Sequence, residues 1–295
     1  MRWPGRDAAA GMVDRVDRRL RPYWNHPVWL DHPPTAVNQP RYGYGRPRHP
    51  GLDALLTEGR ATYRAELQEL SLFGDDLLRI PVRGSSRPAP QWINDYLLGL
   101  DTVSLYGYTR RSKPSRYLEI GSGYSTLVVD RARQDGSLTT EIVSIDPRPR
   151  TAVDAVCDHI VRQPLELADL ELFQDLAAGD MLFVDGSHRL FMNSDMVTFY
   201  LDVLPRLPSG VLVGIHDVLW PDDYLPEWSE FWFSDQYLLA AYLLAGAPWI
   251  RPLLACNYVA QDPELSAILS PIWNDPRLAA VDRRGFSFWF QVDRH

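Results

Sequence analysis

The sequence predicts a parallel α/β sheet covered by helices on both faces, and three observations carry that prediction. Short apolar runs alternate with helix-length segments between residues 116 and 215. The first run passes directly into a Glu-x-Gly-x-Gly turn, Glu119-Ile-Gly121-Ser-Gly123. Later runs end in groups able to hold a ligand: Asp146, Asp185-Gly-Ser-His188 and His216-Asp217. In such sheets, ligands collect at the carboxyl ends of the strands.

The 295 residues suffice for one large domain, or a domain with an extension, and 45% hydrophobic residues can fill a core. A formal net charge of -8 argues against wrapping a nucleic acid, which needs a basic face. Cys157 and Cys256 have no metal-ligand spacing and give no disulfide framework. A reducing, cytoplasmic setting is therefore expected, and Met1 leads into polar residues rather than the apolar core of a signal peptide. The longest apolar stretch, 237–250, is interrupted by Gly246 and Pro248 and is shorter than the roughly 20 residues that span a bilayer.

Residues 1–90 read as a proline- and arginine-rich extension with one or two helices, and residues 91–295 as the main domain. In the extension a short helix is expected over 11–20. A packing helix is expected over 52–70, where Leu52, Leu55, Leu56, Tyr63, Leu67 and Leu70 approximate helical spacing. Residues 90–108 suggest a second packing helix, bearing Trp92, Ile93, Tyr96, Leu97, Leu100 and Val103. The alternation then runs strand 117–120, helix 125–133, strand 141–145, helix 151–159, strand 160–162 and an acidic helix 166–176. Strand 181–184, helix 192–204 and strand 211–215 complete it. A segment rich in Trp, Tyr, Pro and acid, 220–232, precedes helix 235–245, and 250–259 and 286–292 read as two last strands.

Gly121 and Gly123 permit torsions and close approaches that a side chain forbids, and Ser125 or Thr126 can cap the helix that follows. A strand, glycine turn and helix also occur where tight packing is the only reason. Asp146, one helix later at a strand tip, has the position from which a carboxylate accepts both hydroxyls of a ribose.

Taken together, these motifs resemble the class I S-adenosylmethionine-dependent methyltransferases, in the branch related to catechol-type and macrolide-sugar O-methyltransferases. The resemblance covers residues 91–295. It implies a Rossmann-like, doubly wound sheet of seven strands, mostly parallel with an antiparallel last strand. By the resemblance, Glu119, Gly121 and Gly123 would line the methionine part of S-adenosyl-L-methionine, Ser122 and Ser125 would also bind the cofactor, Asp146 would hold its ribose and Gln163 would lie near the adenine. Asp185, His216 and Asp217 would face the sulfonium and the acceptor, a hydroxyl of a small molecule or saccharide. His216 is the first choice for a general base because an unperturbed imidazole titrates near pH ~6.5; the other reading is that it caps its strand. Asp217 would orient it, and His188 is a further catalytic candidate or a turn residue. Trp220, Tyr224, Trp228 and Trp232 either cover the acceptor or form a lid's own core.

One departure from the resembled family concerns its divalent metal, such as Mg²⁺. That family uses an aspartate after the fourth strand and an Asp-Asn pair after the fifth, whereas this chain has Asp217-Val218. Asp185 and Asp217 remain oxygen ligands, with Asp222 or Asp223 available as a third. Two further readings stay open: a nicotinamide-dependent oxidoreductase, in which Glu119 has no evident task and Thr126 stands where a third glycine is preferred, and a non-catalytic cofactor-binding partner in a glycan-assembly complex. A homo-oligomer is also open.

Overall fold

Buried, largely apolar strands of four or five residues dominate the centre of the molecule, because both faces of the sheet are covered there. The computed structural model describes residues 32, 34–84 and 88–294; the helix expected over 11–20 lies outside the described residues. The strands are β1 (Arg116–Ile120), β2 (Glu141–Ile145), β3 (His159–Val161), β4 (Met181–Val184), β5 (Leu212–Ile215), β6 (Ile250–Ala255) and β7 (Phe288–Val292). They form one sheet in the order β3-β2-β1-β4-β5-β7-β6. The pairings from β3 through β5 are parallel, whereas β7 runs antiparallel between β5 and β6. The expected seven-stranded, doubly wound sheet with an antiparallel last strand is what the chain forms.

The insertion of β7 depends on a size match. Gly214 of β5 faces Trp289 of β7, and a Cβ at Gly214 would lie 2.7 Å from the indole. Trp289 is fully buried, packs against Phe183 and Tyr108, and donates its indole N–H to Ser104 Oγ at 3.0 Å. Here a small residue makes room for the largest one, and close packing follows.

Asn38–His295 forms one compact unit. The expected helix over 52–70 is two helices, α1 (Pro50–Glu58) and α2 (Arg60–Ser71), divided at Gly59. Their apolar faces, Leu52, Leu56, Tyr63, Leu67 and Leu70, are fully buried in the same core as the sheet. The helix expected from residue 90 begins later, as α3 (Gly99–Ser112). Before it, the Asn94 side chain accepts from Tyr96 N and Leu97 N, closing a turn that competes with helix. Every residue of α3 from Gly99 to Thr109 is buried.

After β1 comes α4 (Tyr124–Asp135). No helix forms over 151–159, a stretch with two valines, a threonine and two aspartates, all weak helix formers. The acidic segment that follows is two 3₁₀ turns, Leu165–Leu167 and Leu170–Phe173. The segment expected to be helical over 192–204 is helical from Asp195 to Arg206, passing from α through π to 3₁₀ geometry. Helix α5 (Asp235–Leu244) agrees with expectation, while β6 gives way to a helix, Cys256–Gln261, where a longer strand is expected. Among the described residues, no helix is long and apolar enough to cross a membrane.

Candidate functional site

The strand order reverses between β1 and β4, so the connections leaving these two strands diverge and open a crevice at their carboxyl ends. A cavity of ≈ 490 Å³ lies there, walled by Gly121–Tyr124, Asp146, Asp185 and Tyr96 among others. Gly121 is required by its surroundings. Its φ is +82°, and a Cβ would stand 1.8 Å from the Asp185 carbonyl oxygen. Gly123 is extended, with φ -178°, and serves as the N-cap of α4.

Of the two hydroxyls expected to cap α4, Thr126 does so from position N3, accepting from the N-cap backbone, and both also turn to Glu119. Ser125 and Thr126 both donate to the carboxylate of Glu119, and Gly123 N donates to Thr126 Oγ1 at 3.0 Å. Glu119 is fully buried beneath the turn, and neither it nor Ser125 lines the cavity. Burial pushes the Glu119 carboxyl up to about 8, although the Ser125 and Thr126 hydroxyls pull the other way. Its role in this arrangement is to brace the turn from below.

Asp146 does reach the cavity. One oxygen accepts from Ser122 N at 2.8 Å and the other from Arg148 N, so the tip of β2 holds the glycine turn in place. Ser122 Oγ also bonds Ser144 Oγ at 2.6 Å. Gln163 is exposed and does not line the cavity; Pro164, Leu165 and Glu166 do, because the chain turns there into its first 3₁₀ turn. The site also contains Tyr96, which the sequence reading treated as core. It lines the cavity, stacked on Tyr124 at 5.7 Å and with the Arg150 guanidinium 5.6 Å from its ring centroid. An aromatic at the end of an apolar run carries no signal that distinguishes these roles.

At the ends of β4 and β5, Asp185, His188, His216 and Asp217 converge, each offering a ligand atom within 4.8 Å of the others. His188 and Asp217 hold left-handed backbone angles, φ 58° and 55°, a costly conformation for non-glycine residues that turns both side chains into the cluster. His188 Nε2 lies 3.0 Å from Asp185 Oδ1 and 3.4 Å from Asp217 Oδ2, and its Nδ1 lies 3.2 Å from Asp235. His216 Nδ1 lies 3.3 Å from Asp217 and 3.5 Å from Asp185, and its Nε2 lies 3.6 Å from Asp101.

Burial alone lowers the affinity of an imidazole for its proton, but these carboxylates overcome it and hold both histidines well above their usual range. His216 is therefore not the unperturbed imidazole that the sequence suggested. Burial would raise Asp185, yet the two histidines outweigh it and keep its carboxyl well below the usual range; Asp217 moves upward, chiefly through burial.

Asp222 and Asp223 face away from this cluster. Asp222 accepts from Gln261 and approaches Arg48, while Asp223 accepts from Arg41 N and the Tyr237 hydroxyl. Neither completes an oxygen triad with Asp185 and Asp217. The aromatic segment divides as well. Trp220 and Tyr224 are buried, the former donating to Gln236 O and the latter to Asp235, while Trp232 is exposed and Trp228 is half-buried against Phe233 and Phe286.

Residues 118–218 match the family described as a methyltransferase domain. No curated protein matches the sequence. Among solved structures, an SAH-bound Podospora anserina methyltransferase is similar at 18% identity and a TM-score of 0.41, over 78% of this chain and 88% of that one. An O-methyltransferase from Bacillus cereus in complex with SAH is similar at 14% identity and 0.35, over 78% and 91%. A mycolic acid cyclopropane synthase complexed with SAH follows at 12% and 0.33, over 78% and 96%.

Proposed function

We propose, from a chain that carries a methyltransferase domain over residues 118–218, that it transfers the methyl group of S-adenosylmethionine to a hydroxyl of a small molecule or saccharide. One observation carries the reading: the cavity at the β1/β4 reversal is walled by Gly121–Tyr124, Asp146 and Asp185. Backbone at the glycine turn can approach a ligand closely, and Asp146 offers remaining lone pairs to a ribose. Asp185 joins this wall to the polar cluster at the β4 and β5 ends.

In the reaction the acceptor oxygen attacks the methyl carbon in line with the carbon–sulfur bond. The carbon–oxygen bond forms as the carbon–sulfur bond breaks, its electron pair stays on sulfur, and S-adenosylhomocysteine leaves. Alignment supplies much of the rate. The acceptor proton passes to Asp217, whose side chain is 15% exposed; His216 and His188, at 5% and 3%, are positioning residues that hold the carboxylate from behind. The divalent metal implied by the family resemblance, on oxygen ligands alone, does not fit these residues, since among the described residues the groups gathered with Asp185 and Asp217 are the imidazoles of His188 and His216. No step is routed through it.

Calorimetry with S-adenosylhomocysteine and with a nicotinamide cofactor tests the reading. Binding of the sulfur compound alone is expected; tight nicotinamide binding without it would remove the methyltransferase assignment. Asp217→Asn should keep S-adenosylhomocysteine affinity and lose turnover, which separates an enzyme from a binding module.

A further inference from the structure

Two guanidiniums beside the cavity have aromatic partners in place of acids. Arg150, on the loop after β2, lines the cavity and lies over Tyr96, 5.6 Å from the ring centroid. Arg189, two residues past Ser187 on the loop after β4, lies over Phe233 at 5.5 Å. Neither forms an ion pair among the described residues, although the chain has an excess of acid and joins Arg110, Arg111, Arg116 and Arg133 to carboxylates.

Arg189 is fixed by its own loop. Its Nε donates to Phe231 O at 2.7 Å and its Nη1 to Ser187 O at 3.1 Å, while its backbone N–H donates to Ser187 Oγ at 3.3 Å. Nη2 has no partner among the described residues. Asp195 acts on Arg189 without pairing to it, because its oxygens are engaged by Ser187 N, Ser187 Oγ and Met196 N at 2.5 to 2.8 Å.

The position of Arg189 joins the two parts of the site. Ser187 lines the cavity, and Phe233, beneath the guanidinium, also packs on the His188 ring at 4.8 Å. One aromatic ring therefore separates Arg189 from the polar cluster at the β4 and β5 ends. The two arginines also act on each other: burial chiefly destabilises the Arg189 cation and the Arg150 charge adds to that, with Asp195 opposing both. Like charges held together cost free energy, whereas an anion between them is attracted to both. A guanidinium laid on a ring uses its face and keeps its edge donors, a fork that matches the oxygens of a phosphate or carboxylate.

We propose that Arg150 and Arg189 form an anion subsite at the mouth of the cavity, so that the acceptor carries a phosphate or carboxylate group near its reacting hydroxyl. The acceptor half of this statement rests on the methyltransferase reading; the subsite itself does not. Held at the lip, the anionic group aims the hydroxyl at the cavity while Asp217 receives its proton. The arginines select and position the acceptor and take no part in bond exchange.

The test is phosphorus NMR of inorganic phosphate titrated with the full chain, saturated with S-adenosylhomocysteine, with acetate as the competing carboxylate. Expected is saturable binding of one phosphate per chain that weakens as salt is added. Whichever of phosphate and acetate binds more tightly identifies the group that the acceptor carries. Arg150→Gln and Arg189→Gln should each weaken binding by about tenfold or more, the scale of a lost hydrogen bond to a charged group. Arg189→Lys, which keeps the charge and loses the fork, should fall between wild type and Arg189→Gln. Arg277→Gln, at an exposed arginine paired with Asp275, should change nothing. No saturable binding of either anion by the wild-type chain overturns the proposal, as does undiminished binding in Arg150→Gln, an exposed position whose variant does not depend on core packing. Calorimetry with S-adenosylhomocysteine on the same samples reports on methyl transfer separately: cofactor binding without anion binding strikes the subsite alone.

Discussion

At the residue scale, the same side chains carry different duties from those their position in a motif suggests. Glu119 stands in the glycine motif yet braces the turn from beneath, accepting from Ser125 and Thr126 while fully buried. Its carboxyl, raised from 4.5 to about 8 by burial, binds a proton more tightly in the folded chain than in the unfolded one. Stability therefore falls as pH rises from about 4.5 to about 8, and is flat beyond. Relative to Glu119→Gln, the wild type should lose up to about 5 kcal/mol across that window, measured by chemical denaturation of both at each end. Parallel stability profiles would contradict a buried, raised carboxyl. Asp146 has an outward task. Asp146→Ala should weaken S-adenosylhomocysteine binding by about 1.5–3 kcal/mol in calorimetry, the scale of a hydrogen bond to a charged group; undiminished affinity would mean that the β2 tip does not hold the ligand.

At the element scale, strands were legible and short helices were not. β1, β2, β4 and β5 stand where continuous apolar runs place them, because burial on both faces leaves no other composition open to them. The turns around residues 94 and 165–173 depend on individual side-chain bonds, such as Leu97 N to Asn94 and Glu171 N to Asp169, which compete with helix but leave no periodic trace. β7 shows what a single contact contributes to an element. Trp289→Ala removes the fully buried ring that fills the space over Gly214, and should cost about 3–5 kcal/mol of unfolding free energy. A loss below 1 kcal/mol in denaturant titration would mean that β7 is held by its backbone pairing alone.

At the scale of the whole molecule, the cavity joins parts that lie far apart in sequence: Tyr96 before the sheet, the β1 turn, the β2 tip and the β4 end. A ligand there binds only the folded chain, so S-adenosylhomocysteine at a hundred times its Kd should add about 2.7 kcal/mol and raise Tm, an effect that thermal denaturation would read directly. No shift at saturation would empty the proposed cavity of its cofactor. The sequence by itself determined the sheet, its glycine turn and the acids at its strand ends, because strand periodicity and turn chemistry are local properties that neighbouring residues enforce. Only the tertiary structure decided that Asp101 and Asp235 stand behind His216 and His188, that Asp222 and Asp223 face away, and that Tyr96 reaches the cavity. Those relations arise where α3, α5 and the strand ends meet, and a chain read in one dimension has no record of which side chains its folding brings within 4 Å.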